Sequence, residues 1–148
     1  MSAIVDFLEG RGPDAAGRTI EAVLGFGPRP LEHHHDFIQW LFPLPEPSRA
    51  VPTAPIVSPG DIETLRSSPA AQFNLARART HMIWFYETTD HWLKPEDHNH
   101  LRITRIIRSL RLLVGDREAD GFRRRIADRI AQEKLVINPE SLRRWSAA

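Results

Sequence analysis

Cysteine is absent from the 148-residue sequence, which excludes disulfide bonds, thiolate metal sites and cysteine nucleophiles. No apolar stretch approaches the roughly 18 residues that a membrane-spanning helix requires. The sequence begins MSAIVD, with neither a basic group nor a long apolar core, so we expect no secretory signal and a cytoplasmic protein. Lysine is scarce, because arginine supplies eighteen of the twenty basic residues. Positive charge in this chain is therefore carried almost entirely by guanidinium groups.

The composition that remains is typical of a soluble globular protein. Hydrophobic residues make up 41% of the chain and charged residues 26%, which disfavours a disordered chain. A chain of this length forms one domain and is long enough to bury a sizeable core. We therefore predict a single domain over residues 1–148.

Hydrophobic periodicity is helical on both sides of a proline-rich segment. Seven of the twelve prolines fall within residues 43–69, and we interpret residues 43–57 as an extended, ordered strap lying across the helices. A capping residue followed by proline, which is a helix-start signal, occurs at Ser58, Ser68 and Asn138. Further helices are predicted at residues 3–9, 19–25, 31–42, 69–87, 101–114 and 116–132. The predicted fold class is all-α, a compact bundle of about six or seven helices.

The formal net charge of +1 conceals an uneven distribution. Residues 1–98 carry eight basic and thirteen acidic side chains, a net charge of −5, whereas residues 99–148 carry twelve basic and six acidic ones, a net charge of +6. One interpretation is a polyanion-binding or nucleic-acid-binding surface formed by Arg102, Arg105, Arg108, Arg111, Arg123 and Arg124. Because no base-stacking aromatic residues lie among these arginines, we favour solvated helix faces, with internal docking or self-association of the two oppositely charged parts.

Three adjacent histidines at residues 33–35, followed by Asp36, invite a metal-binding or acid–base interpretation, with His81, His91, His98 and His100 as possible distant ligands. Neighbouring positions on a helix point about 100° apart, so at most two of the three address one ion. The zinc spacing HExxH, a nucleophile motif and a phosphate-binding glycine-rich loop do not occur in the sequence. We therefore predict no metal site, no cofactor and no enzymatic activity. The weaker alternative is a small hydrolase or metal-dependent enzyme built on His35, Asp36 and His98.

Most aromatic side chains are expected in the core, with a peptide groove between helices as the alternative for some of them. They are Phe37, Trp40, Phe42, Phe73, Trp84, Phe85, Tyr86 and Trp92. Gln39 lies among them, and we expect its amide group to hydrogen-bond the backbone of the strap, which has no ladder of its own.

Two strings stand out, HDFIQWLFPLPEP at residues 35–47 and HNHLRITRIIRSL at residues 98–110. The first resembles the pattern H-x-Y/F-I-Q-W-L-F-P-x-x-E-P of the opioid growth factor receptor conserved region. The second resembles the next block of that family, H-N-x-L-R-I-T-R-I-L-x-S-L. The strings stand in the expected order and the resemblance extends over about residues 1–137, which indicates a compact, stand-alone member of the family.

The resemblance implies a helical binding module that is not an enzyme. Animal receptors of this family bind an enkephalin-type opioid peptide and restrain cell proliferation in association with the nuclear envelope, and no catalytic residues are assigned to them. We accordingly expect a peptide or protein ligand, and the family analogy adds nuclear or peripheral membrane association as a localisation. Six residues from the two strings are expected to surround one ligand-binding pocket: His35, Gln39, Trp40, His98, Arg102 and Arg105.

Overall fold

The computed structural model describes residues 2–134 and 136–148, and in this part of the chain it contains nine helices and no strand. The helices are α1 (Ala3–Leu8), α2 (Ile20–Leu24), α3 (Pro28–His33), α4 (Ile38–Leu41), α5 (Pro59–Ser67), α6 (Pro69–Thr88), α7 (His98–Leu113), α8 (Asp116–Glu133) and α9 (Pro139–Ala147). The all-α prediction is confirmed, although the helices exceed the six or seven that were expected.

The three helix starts signalled by a capping residue before proline are confirmed. The hydroxyls of Ser58 and Ser68 and the amide oxygen of Asn138 each accept a hydrogen bond from the backbone N–H three residues further on, at 3.0, 3.1 and 2.8 Å. In α5 the cap is reciprocal, because the Asp61 carboxylate accepts the backbone N–H of Ser58 at 3.0 Å. Proline at the first helical position removes an N–H that would have no partner within the helix.

The prediction of one continuous helix over residues 31–42 is wrong, because the chain leaves helical geometry at His34. That residue has φ −83° and ψ 129°, which is an extended conformation. Arg102 of α7 donates to the carbonyl oxygens of Leu31 and His34, at 2.6 Å each. The last carbonyls of α3 are therefore bonded by a distant guanidinium instead of by a further turn of the same helix.

Residues 43–57, which we call the strap, form a closed loop instead of an extended crossing. The two ends of the strap meet, since the backbone N–H of Val57 donates to the carbonyl oxygen of Leu44 at 3.2 Å. Helix α7 holds the first residue of the strap, because the buried Ser109 hydroxyl donates to the carbonyl oxygen of Pro43 at 2.9 Å. The strap is thus ordered, as predicted. It is held by the hydrogen bond between its two ends and by the hydrogen bond from α7.

The core forms around α6, which packs against α1, α2, α5 and α8, while α7 packs against α5, α8 and α9. Six of the eight aromatic residues predicted for the core are buried there: Phe37, Trp40, Phe42, Phe85, Tyr86 and Trp92. Phe73 and Trp84 are instead 66% and 40% exposed, so their assignment to the core was wrong. They are eleven residues apart, about three turns, and share the outward side of α6. None of the helices in the described segments is long and apolar enough to cross a bilayer.

Candidate functional site: the strap cleft

A cleft of about 620 Å³ lies between the strap, α4, α7 and α9, and we call it the strap cleft. The side chains that line it include His35, Ile38, Gln39, Leu44, Glu46, Arg49, His98, Leu101, Arg102, Arg105, Arg108 and Arg144. Five of the six residues expected to share a pocket are in this set. The fold therefore brings the two sequence strings together at one concavity.

Trp40 is the sixth expected residue, and it does not line the strap cleft. It is 8% exposed and packs edge-to-face on Phe7 of α1, with ring centroids 5.4 Å apart. Such a pair stabilises the contact between α1 and α4 beyond the apolar area that it buries. Trp40 is thus a core residue that fixes the position of α4.

Arg102 is a structural residue on the wall of the cleft. Only 6% of it is exposed, and its guanidinium also lies over the ring of Phe37, 5.4 Å from the centroid. One nitrogen of the same group approaches Nδ1 of His35 at 3.3 Å, where the imidazole is the acceptor. Burial, and then the adjacent Arg102 charge, lower the pKa of His35 below its usual range. His35 therefore presents a neutral ring to the cleft near neutral pH.

Two buried polar atoms of the cleft residues have no hydrogen-bond partner within the described parts of the chain: Oε1 of Gln39 and Nη2 of Arg105. Gln39 is 4% exposed, and the hydrogen bond expected between its amide and the strap is not formed. Arg105 uses its Nε to donate to the carbonyl oxygen of Phe42 at 2.9 Å. Burial lowers the pKa of Arg105 to about 10. Two residues that line the cleft thus carry one unused buried acceptor and one unused buried donor, each of which costs about 1–3 kcal/mol while it stays unpaired.

The charge of the strap cleft is predominantly positive. Five arginines line it against a single acidic side chain in that lining, Glu46. Glu46 is already ion-paired with Arg108, and Arg144 pairs with Glu140 at 2.6 Å. Arg49 and Arg105 form no ion pair with a carboxylate among the described residues. An anionic group is therefore the charged ligand that this cleft accommodates best.

The six arginines considered as a polyanion surface do not form one free basic face. Arg102 is buried and Arg105 partly so, whereas Arg108 is ion-paired as described. Arg111 is held by Asp116 at 2.9 Å and by Asp120 at 2.8 Å. Arg123 and Arg124 lie on α8, and neither lines the strap cleft. Four of these six arginines are therefore bonded within the fold: Arg102, Arg105, Arg108 and Arg111.

The three residues of the hydrolase alternative are divided between different partners. Asp36 pairs with Arg18 at 2.9 Å, and not with a histidine. The rings of His35 and His98 meet edge-to-face, with centroids 5.4 Å apart. A carboxylate that orients an imidazole, as acid–base catalysis requires, is not supplied by Asp36.

Several lining residues were not foreseen from the sequence. Glu46 belongs to the first string and Leu101 to the second, so the resemblance could have indicated both as site residues. No sequence pattern indicated Arg49 or Arg144, because their position at the cleft depends on how the strap closes and how α9 packs on α7.

Comparison with known proteins identifies a matching family model and several relatives of this chain. Residues 28–91 match the model of the opioid growth factor receptor (OGFr) conserved region. The chain is 35% identical to the opioid growth factor receptor of Rattus norvegicus over 98 residues, which cover 54% of the chain and 17% of that receptor. It is 32% identical to the receptor of Homo sapiens over 124 residues, covering 72% of the chain and 18% of the receptor.

A second group of relatives gives the same result. Opioid growth factor receptor-like protein 1 of Xenopus tropicalis is 30% identical over 125 residues, which cover 73% of the chain and 23% of that protein. The chain therefore spans less than a quarter of the length of these three relatives. No solved structure matches the chain.

Proposed function

We propose that this chain, whose residues 28–91 match the opioid growth factor receptor conserved region, is a non-enzymatic binding module whose strap cleft takes a peptide or protein segment. The relatives are named as receptors and not as enzymes, which supports a binding role. The cleft volume of about 620 Å³ lies within the ~300–1,000 Å³ typical of ligand sites. A short segment of a few residues fits such a volume.

The observation that carries this proposal is the unpaired couple of Gln39 Oε1 and Arg105 Nη2 in one cleft. An extended peptide offers both missing partners, since its backbone N–H donates to the Gln39 oxygen and a backbone or terminal oxygen accepts from Arg105. Because both atoms are buried in the structure, binding requires rotation of the Gln39 amide and of the Arg105 guanidinium toward the ligand. Binding then removes the cost of two unpaired groups as well as burying apolar surface.

The charge of the cleft selects among peptides. Because Arg49 and Arg105 are not neutralised by carboxylates there, a peptide with a carboxylate at its C-terminus or in a side chain binds more tightly than the same peptide as an amide. Leu44, Ile38 and Leu101 supply apolar wall for the neighbouring side chains of the peptide.

Calorimetric titration with an enkephalin-type pentapeptide and with a pool of random pentapeptides tests the proposal. We expect saturable binding of at least one of these probes by the unmodified chain. Gln39→Met removes the acceptor at similar volume, and Arg105→Lys removes Nη2 while leaving a donor for the carbonyl of Phe42. Each variant is expected to weaken binding about tenfold, since one hydrogen bond to the ligand is lost.

The matched controls are Gln132→Met and Arg124→Lys, both exposed on α8 and outside the cleft. They are expected to bind as the unmodified chain does, and circular dichroism verifies that all four variants are folded. If no probe shows saturable binding, or if the cleft variants bind like their controls, the proposed function is wrong.

A further inference from the structure

A second cluster of polar side chains lies at the edge of the strap cleft, around the carboxylate of Glu32 on α3. One oxygen of Glu32 contacts Nε2 of His91, and the other lies 2.8 Å from Nε2 of His98. Asp97 stands beside them, and one ligand atom each from Glu32, Asp97 and His98 lies within 4.8 Å of the other two. Nitrogen and oxygen donors from α3, from the loop before α7 and from the start of α7 therefore converge at one point.

The carboxylate of this cluster is held in place from the interior of the protein. The side-chain amide of Asn99 donates to Glu32 at 3.1 Å and to Asp97 at 2.8 Å. The amide oxygen of Asn99 accepts from the hydroxyl of Tyr86 at 3.1 Å, and both of these residues are fully buried. Hydrogen bonds of this kind orient the carboxylate ligands of metal sites in proteins.

The cluster is open to solvent on its histidine side. The side chains of His91 and His98 are 38% and 44% exposed and that of Glu32 is 19% exposed, whereas that of Asp97 is 5% exposed. An ion can thus reach a carboxylate that Asn99 already orients.

We propose that Glu32, Asp97 and His98 form a binding site for one Zn²⁺ ion, with His91 as a neighbouring imidazole on the other oxygen of Glu32. An imidazole nitrogen together with carboxylate oxygens is a donor set that zinc takes, with water in the remaining position, whereas Mg²⁺ and Ca²⁺ take oxygen ligands. Sequence spacing did not single out this set, because its ligands come from three elements and the histidine run at residues 33–35 contributes none of them.

Titration of tag-free, chelator-treated protein with Zn²⁺, in competition with a chromogenic zinc indicator, tests this site. We expect one Zn²⁺ per chain and a higher Tm with Zn²⁺ than with Mg²⁺. His98→Ala is expected to weaken zinc affinity at least tenfold, and His91→Ala to weaken it less, because His91 contacts only the other oxygen of Glu32. Both side chains are partly exposed, so the variants remain folded, which circular dichroism verifies.

The control is the double variant His33→Ala/His34→Ala, which removes two of the three exposed histidines of the adjacent run and leaves the cluster intact. It is expected to bind Zn²⁺ as tightly as the unmodified chain. No saturable binding, or binding lost in this control and kept in His91→Ala and His98→Ala, overturns the proposal. Since the peptide and zinc titrations use different probes and variants, either proposal can fail without the other.

Discussion

At the scale of single residues, arginines that look equivalent in the sequence have different roles. Arg102, Arg105 and Arg108 follow one another in steps of three on α7, which turns each about 60° from the last. Arg102 is therefore buried and bonded to backbone carbonyls, and Arg105 has an unused donor. Arg108 is partly exposed and forms an ion pair. Only the tertiary neighbours distinguish the three, so the sequence pattern alone could not.

The structural role of Arg102 predicts a large effect of a conservative change. Lysine has a single ammonium group and cannot span the carbonyls of Leu31 and His34 as the guanidinium does. We expect Arg102→Lys to lower the free energy of unfolding by about 1.5–3 kcal/mol in urea denaturation. Arg124→Lys, on the exposed side of α8, is expected to change it by less than about 0.5 kcal/mol. Equal values for the two variants would contradict this role.

His81 predicts a dependence of stability on pH. Its Nε2 is buried with no partner among the described residues, and its ring stacks on Trp84 at 5.4 Å. Burial lowers the pKa of His81, so the unfolded chain binds this proton more readily than the folded one. Its contribution to stability is therefore complete above about pH 6.5 and declines as the pH falls toward the lower, folded pKa.

The test compares His81→Gln with His33→Gln, which changes an exposed histidine. The free energy of unfolding is measured in urea between about pH 5.5 and pH 7.5. In His81→Gln the decline toward low pH becomes shallower than in the unmodified chain, whereas His33→Gln keeps the original slope. Identical slopes in the two variants would show that burial of His81 has no such effect.

At the scale of elements, a helix boundary is predictable from the sequence when the residues that fix it are close together in the chain. The starts of α5, α6 and α9 are set by contacts between residues three positions apart, and the sequence predicted all of them. The break between α3 and α4 depends on Arg102, about seventy positions further along, and no local pattern announces it. The strings at residues 35–47 and 98–110 indicated the cleft residues, but not the closure of the strap that shapes the cleft.

The attachment of the strap to α7 predicts the effect of removing one hydroxyl. In Ser109→Ala the carbonyl oxygen of Pro43 loses its buried donor, and we expect the free energy of unfolding to fall by about 1–3 kcal/mol. The strap is also expected to be cleaved faster by a protease in limited digestion. Ser67→Ala is the control, because Ser67 is exposed at the end of α5. A variant as stable as this control would show that the hydroxyl does not hold the strap.

At the scale of the whole molecule, the segment of net charge −5 and the segment of net charge +6 have complementary charges that meet in ion pairs. Arg108 of the basic segment pairs with Glu46 of the acidic one, and Arg125 pairs with Glu87 at 2.7 Å. Arg102 of α7, in the basic segment, also donates a hydrogen bond to the carbonyl oxygen of Leu31 in the acidic segment. These ion pairs join the two segments, whereas Arg111, Arg129 and Arg144 pair with carboxylates of their own segment.

This complementarity predicts weak interaction with nucleic acid. Because most arginines of the basic segment are buried or paired, we expect no gel shift of duplex DNA or of single-stranded RNA at about 50 mM salt. A shift that disappears at higher salt and in the double variant Arg123→Ala/Arg124→Ala would contradict the prediction and revive the polyanion alternative. The same gel with a basic DNA-binding protein serves as the positive control.

The central claim is that the strap cleft binds a peptide through Gln39 and Arg105, and nuclear magnetic resonance with ¹⁵N-labelled protein tests it most directly. The side-chain amide of Gln39, Nε–H of Arg105 and the indole N–H of Trp84, which lies on the outward side of α6, are each observable in one spectrum. On addition of a pentapeptide that binds, we predict shifts of the Gln39 and Arg105 signals and an unchanged Trp84 signal. Shifts confined to Trp84 and its neighbours, with Gln39 and Arg105 unaffected, would contradict the account.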